Sequence, residues 1–163
     1  MTRVAAIAIS IFAMLAAAEA MRAAQSQPQE SSDAHRESGP AIRFATVSVM
    51  LDPEGAPLAA YQVEVKATRG DVKIVGIEGG EHAAYGEPPY YDPAAMRQER
   101  VIIGAFSTAA AASLPATATR IATIHLQITG DVEPTFATDL MAAATTGGKP
   151  IKATIQLKTG PSR

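Results

Sequence analysis

The stretch from Leu58 to Glu81, LAAYQVEVKATRGDVKIVGIEGGE, decides the fold of this chain. Apolar and polar residues alternate along its first half, which predicts a strand with one face on a core and the other in water. The apolar set is Ala59, Tyr61, Val63, Val65 and Ala67. Arg69-Gly70-Asp71 then predicts a turn, and Val72, Ile74 and Val75 begin a second strand. We therefore expect the two strands to form a half-buried antiparallel pair.

Further short strands are predicted on both sides of this stretch, separated by turn residues. They cover Ile42 to Leu51, Arg100 to Ser107, Thr119 to Thr129 and Ile151 to Lys158. The pattern places Ile121 on the outward face of its strand with Thr123, opposite Ala122. Ala109 to Ala112 and Leu140 to Ala144 are Ala-rich and are expected to form single helical turns. Strands without a long amphipathic helix indicate an all-β sandwich of two antiparallel sheets.

Composition excludes several classes of function. The 163 residues carry a net charge of −2, too small to indicate a nucleic acid or an acidic membrane as the partner. Cysteine is absent, which excludes disulfides, thiol nucleophiles and thiolate metal sites. The sequence contains no nucleophile elbow, zinc-protease motif or phosphate-binding loop, so we expect the protein not to be an enzyme.

The amino-terminal residues predict export. Arg3 is followed by a predominantly apolar run from Val4 to Ala18, and Ala18-Glu19-Ala20 fits a small-x-small cleavage site. Residues 1–20 are therefore interpreted as a signal peptide, with an uncleaved anchor as the alternative. The run is shorter than the roughly 20 residues of a membrane-spanning helix, so no span is expected after cleavage. Residues 21–40 are polar and predict a disordered tether, and residues 41–160 the folded domain.

The order of these features resembles the cohesin-like modules, whose fold is shared by several bacterial carbohydrate-binding modules. The resemblance runs from about Phe44 to Leu157. It rests on three segments: LAAYQVEVKATRGDVKIVGIEGGE, RVIIGAFS and RIATIHLQITG. It implies a nine-stranded sandwich with jelly-roll topology and a non-catalytic binding role.

The loop from Gly79 to Glu99, GGEHAAYGEPPYYDPAAMRQE, is the candidate binding site. It is longer than an ordinary connection and contains Tyr85, Tyr90, Tyr91 and Asp92. Tyrosine offers a flat apolar ring with a hydroxyl group, which suits both sugar rings and protein surfaces. The alternative is structural: Tyr90 and Tyr91 would fold back and plug one end of a sandwich that has no tryptophan.

The same loop provides weak candidates for a metal site. Glu81, Glu87 and Asp92 offer the carboxylate oxygens that Ca²⁺ prefers, although their spacing matches no metal-binding motif. We therefore expect no cofactor, with Ca²⁺ as the alternative. Glu87 and Asp92 are also the acid pair that a hydrolase would need, a pairing that chance readily produces in a chain with 16 acidic residues.

Together these features predict an exported, non-catalytic binding module, most simply a protein–protein interaction or scaffold domain of the bacterial cell envelope. The expected partner is an envelope or extracellular protein, and the expected location of the module is periplasmic or extracellular. The alternative is a carbohydrate-binding module that recognises polysaccharide through the tyrosine-rich loop. The absence of tryptophan counts against that alternative.

Overall fold

The computed structural model describes residues 39–160, which form two antiparallel sheets of four strands each packed face to face. The predicted signal peptide and most of the predicted tether lie outside the described residues. The strands are β1 (Ile42–Asp52), β2 (Ala60–Arg69), β3 (Asp71–Gly79), β4 (Tyr90–Tyr91), β5 (Arg100–Phe106), β6 (Thr119–Thr129), β7 (Thr135–Ala144) and β8 (Thr154–Thr159). The prediction of an all-β, two-sheet antiparallel sandwich is confirmed.

Sheet I has the strand order β3-β6-β1-β8, and sheet II has the order β4-β5-β2-β7. The described part of the chain thus has eight strands, one fewer than the resemblance implied. After β7, Pro150 pairs with Ala144 only through an isolated bridge. No helix among residues 39–160 is long and apolar enough to cross a membrane.

The core lies between the sheets and is built from the alternating apolar positions of the strands. All five predicted inward residues are buried, Ala59 just before β2 and the other four within it, as are Val47, Val49 and Leu51 of β1. Burial of each valine or leucine side chain in this set stabilises the fold by about 1.5–3 kcal/mol, which makes this layer the main source of stability. The alternation between Ala59 and Ala67 therefore predicted the correct inward face.

The expected pairing of the two strands in that region is wrong. β2 pairs with β5 and β7 in sheet II, whereas β3 pairs with β6 in sheet I. The turn at Gly70, whose φ is +89°, carries the chain from one sheet to the other instead of closing a hairpin. A short turn with a left-handed glycine serves either connection, so the turn residues alone did not distinguish them.

Two local predictions also require correction. Ile121 is buried, because the β1–β6 register shifts between Val49 and Met50 and leaves Ile121 as an extra residue in β6. Residues 140–144 form the end of β7 and not a helical turn, because their backbone pairs with β2. In the other Ala-rich segment, a single 3-10 turn covers Ala111–Ser113.

Candidate functional site

The long loop after β3 is ordered around Tyr85, which belongs to the core. Tyr85 ends a 3-10 turn (Ala83–Tyr85) and is only 2% exposed. Its hydroxyl group donates a hydrogen bond to the carbonyl oxygen of Leu58 at 2.7 Å, and its ring meets the ring of Tyr61 edge to face, with centroids 5.1 Å apart. Burial raises the pKa of Tyr85 to about 12. Tyr85, predicted as a binding residue, is therefore the residue that plugs the sandwich and has no surface left for a ligand.

Two glycines allow the loop to lie close to the strands. The backbone N–H of Gly80 donates to the carbonyl oxygen of Tyr85 at 2.7 Å. A Cβ atom at Gly79 would overlap the carbonyl oxygen of Gly86, and one at Gly80 would overlap that of Arg120. Only glycine fits at these positions without moving the backbone, so the Gly-Gly pair fixes the start of the loop.

Two acidic residues of the loop, Glu81 and Asp92, accept hydrogen bonds from backbone N–H groups. The Glu81 carboxylate accepts hydrogen bonds from the Arg120 backbone N–H at 2.9 Å and from the Thr119 hydroxyl group at 3.3 Å. The first of these bonds is the main reason that the pKa of Glu81 lies below its usual range. The Asp92 carboxylate accepts from the backbone N–H of Ala94 at 2.9 Å and caps a second 3-10 turn.

The structure does not gather the candidate metal ligands. Glu81 is bound to the start of β6, Asp92 caps its own turn, and Glu87 is exposed. Within residues 39–160, no three acidic, histidine or cysteine side chains are grouped closely enough to hold a metal ion. The three carboxylates therefore have separate positions in the fold.

Tyr90 and Tyr91 form β4, which adds to the edge of sheet II next to β5. Tyr90 lies opposite Gly104 and Tyr91 opposite Ile103. Because neighbouring residues of a strand point to opposite faces, Tyr91 packs partly against the core while Tyr90 points outward and is 73% exposed. The two tyrosines thus have different environments, and of the two only Tyr90 is largely exposed to solvent.

Tyr90 is paired on the outer face of sheet II with an aromatic residue that the sequence analysis did not select. The ring of Phe106, 65% exposed, stacks on that of Tyr90 with centroids 6.2 Å apart and planes 8° from parallel. The signal for Phe106 was present in β5, since its position shares a face with Arg100 and alternates with buried Val101 and Ile103.

A groove of about 930 Å³ runs along this face beside the aromatic pair, and we call it the aromatic groove. Its lining includes several residues with little or no side chain, namely Ala60, Gly104, Ala142 and Ala144. Small residues let another molecule approach the sheet backbone closely, while Tyr90 and Phe106 stand above it. The groove therefore combines a smooth surface with two exposed aromatic rings.

The end of the aromatic groove away from Phe106 is polar. Arg100 forms an ion pair with Glu64 on the neighbouring strand. This hydrogen bond is the main cause that lowers the pKa of Glu64 and raises that of Arg100. Arg100 and Glu64 are partners of each other. Asp92 and Glu99 also line the groove, but most of its exposed lining is apolar.

Comparison with known proteins supports the fold. No protein-family model matches the sequence, and no curated protein is significantly similar to it. The structure is similar to one chain of the crystal structure of a type I cohesin–dockerin complex from Clostridium thermocellum, with a TM-score of 0.50 and 13% sequence identity. The similarity covers 67% of this chain and 81% of that chain. The predicted resemblance is confirmed at the level of architecture: the chain has a cohesin-like fold.

Proposed function

We propose that this chain is a non-catalytic protein-docking module whose partner binds in the aromatic groove. The observation that carries this proposal is the stacked pair of Tyr90 and Phe106, both largely exposed on the outer face of sheet II. Large aromatic side chains are enriched at the centres of protein interfaces, where each buries about 150–250 Å². An exposed pair beside a groove is the arrangement that a protein partner would cover.

The surface is also held in place before binding. Tyr90 is fixed by the pairing of β4 with β5, and the loop that leads to it is held by Tyr85 and Gly80. A partner that binds a preformed surface loses less conformational entropy than one that must order a loop, where each immobilised side chain costs about 0.5–1.5 kcal/mol. Buried Tyr85 thus anchors the loop that presents Tyr90 at the surface.

The structural neighbour supports a protein as the ligand, because that structure is a cohesin–dockerin complex. In this chain, the partner would place apolar side chains against Tyr90 and Phe106 and bring its backbone close to the small residues of β2 and β7. We further propose, from the signal-peptide pattern of residues 1–20, that the module is exported and meets an envelope or extracellular protein.

A polysaccharide is the alternative ligand, and the near-parallel rings of Tyr90 and Phe106 are the observation that favours it. Aromatic rings stack on the apolar faces of sugars as they do on protein side chains. Crosslinking from the groove distinguishes the two ligands, because it attaches either a protein or a carbohydrate to the chain.

Photo-crosslinking from the groove tests the proposal directly. A photoreactive phenylalanine analogue replaces Phe106 in one variant of the full chain. In a second variant it replaces Phe44, which is 53% exposed on sheet I. After irradiation in cells that produce the protein, we expect a discrete protein adduct from position 106 that is absent from position 44. The adduct should disappear when Tyr90 is also changed to Ser.

A protein adduct that forms equally from both positions, or that survives Tyr90→Ser, would contradict docking in the aromatic groove. Carbohydrate attached to position 106 without protein would replace the proposal with its alternative.

A further inference from the structure

A second cleft lies beside the edge strand of sheet I and shares no lining residue with the aromatic groove. It has a volume of about 450 Å³ and is formed by β3, by the segment that precedes β5 and by one residue of β6. Its lining residues are Lys73, Ile74, Val75, Met96, Arg97 and Gln127. Two cations and an amide therefore meet above a partly apolar surface.

The backbone of Arg97 has an unusual conformation. Its φ is +66°, and among residues 39–160 the only other non-glycine residue with a positive φ is Glu54. The conformation is held by hydrogen bonds to the edge of β3: the N–H of Arg97 donates to the carbonyl oxygen of Ile74 at 2.8 Å, and the N–H of Ile74 donates to that of Gln98 at 2.9 Å. Glycine and asparagine adopt this conformation more readily than arginine does. Because the backbone alone would favour Gly or Asn, the arginine side chain is the feature that needs an explanation.

The strand opposite Arg97 is irregular at the same place. The β3–β6 register shifts between Ile74 and Gly76, which leaves Val75 as an extra residue in β3. Bulges of this kind turn neighbouring side chains into new directions and are common next to functional sites. A strained residue and a bulge on two different segments thus lie at one cleft. Strained backbone conformations cluster at functional sites, so their coincidence here indicates a binding site.

Neither cation of the cleft has an acidic partner among residues 39–160. Within the described part of the chain, the side chains of Lys73 and Arg97 make no ion pair and no hydrogen bond. Of the residues that the structure describes, none with a carboxylate side chain lines the cleft. Asp71 lies two residues before Lys73 on the same strand but outside the lining.

We propose that this cleft binds a phosphate or sulfate group that belongs to a larger ligand. The guanidinium group of Arg97 offers paired N–H donors, Lys73 offers an ammonium group and Gln127 an amide N–H₂, which together match the several oxygens of such an anion. The cleft is several times larger than one such group, and its remaining lining, Val75 and Met96, would contact the rest of the molecule.

The test uses the full chain with inorganic phosphate and inorganic sulfate as probes, measured by calorimetry and by thermal unfolding at constant ionic strength against chloride. Arg97→Asn removes the guanidinium group and keeps a residue that tolerates the left-handed conformation, and Lys73→Gln removes the ammonium group. Lys152→Gln, an exposed lysine before β8, is the matched control. A ligand of the native state raises the unfolding temperature in a saturable way.

We expect phosphate or sulfate to bind saturably, at least about tenfold more weakly in Arg97→Asn and in Lys73→Gln, because each removes a charge-assisted hydrogen bond. Lys152→Gln should bind as the unchanged chain does. The proposal would be overturned if phosphate and sulfate had no effect beyond that of chloride. It would also be overturned if binding survived both substitutions, or if acetate bound as tightly as phosphate. The proposal stands or falls independently of the aromatic groove.

Discussion

The hydroxyl group of Tyr85 donates a hydrogen bond to the carbonyl oxygen of Leu58, 2.7 Å away, and so ties the loop after β3 to the residues that precede β2. The loop follows a strand of sheet I, whereas Leu58 precedes a strand of sheet II. The bond therefore closes one end of the sandwich and fixes the position of the loop that leads to Tyr90.

Removal of this bond should destabilise the domain. Tyr85→Phe keeps the ring but leaves the buried carbonyl oxygen of Leu58 without this donor, which we expect to lower the free energy of unfolding by about 1–2 kcal/mol. Urea denaturation measures the change. Tyr90→Phe removes the same hydroxyl group from an exposed ring and should alter stability by less than about 0.5 kcal/mol. Equal effects of the two substitutions would contradict the buried role of Tyr85.

Gly80 should tolerate no side chain. A Cβ atom there would overlap the carbonyl oxygen of Arg120, so Gly80→Ala has to move either the loop or β6. We expect a loss of about 2–4 kcal/mol in the free energy of unfolding. Gly147→Ala is the control, since no atom lies within 4 Å of its added Cβ, and it should be neutral or slightly stabilising in the same denaturation experiment.

Glu81 should contribute stability at neutral pH that acidification removes. The hydrogen bond from the Arg120 backbone N–H holds the pKa of Glu81 below its value in the unfolded chain. A depressed pKa in the folded state stabilises the fold above the unfolded pKa, and this contribution is lost as pH falls through the folded pKa. Glu81→Gln should therefore be less stable than the unchanged chain at about pH 7, and the difference should shrink towards about pH 3.

The comparison for Glu81 is Glu87→Gln in the same loop, where the carboxylate is exposed and has no hydrogen-bond partner among the described residues. It should match the unchanged chain at both pH values in urea denaturation. A difference between Glu81→Gln and the unchanged chain that stayed constant with pH would refute an ionic origin.

The stacked rings of Tyr90 and Phe106 should be energetically coupled but of little weight in the fold. A double-mutant cycle with Tyr90→Ala and Phe106→Ala is expected to give a coupling of about 0.5 kcal/mol, at the low end for aromatic pairs because both rings are exposed. Each single substitution should leave the domain folded by circular dichroism. A loss of folding on either substitution would show that the pair is part of the core instead of a surface.

The sequence predicted the strands well because burial on one face leaves an alternating pattern. The inward positions of β2 are the clearest case, with Tyr61, Val63 and Val65 all buried. Alternation says which face of a strand is buried but not which sheet the strand joins, so the expected pairing of β2 with β3 was wrong. A bulge shifts the alternation by one residue, and this is why Ile121 was assigned to the wrong face.

The candidate site was predicted only in part, for a related reason. The concentration of tyrosines indicated the correct loop, but residue type does not distinguish Tyr85, which is buried, from Tyr90, which is exposed. That distinction depends on Leu58 and Phe106, which are distant in sequence and adjacent only in the folded chain. The cleft between Lys73 and Arg97 had no sequence signal, because it depends on a bulge at Val75 and on the backbone conformation of Arg97.

The pairing of β1 with β8 has a consequence for how the domain forms. Among residues 39–160, β1 is the first strand and β8 the last, and they are neighbours in sheet I, with Val47 opposite Thr159. Contacts between residues so far apart in sequence close slowly, and sandwiches of this kind fold in about milliseconds to seconds. A growing chain that has not yet reached residue 154 leaves one edge of β1 unpaired and open to association with other chains. Sheet I is therefore completed only after β8 has been synthesised, so β1 gains its second neighbour last, however early the other strands form.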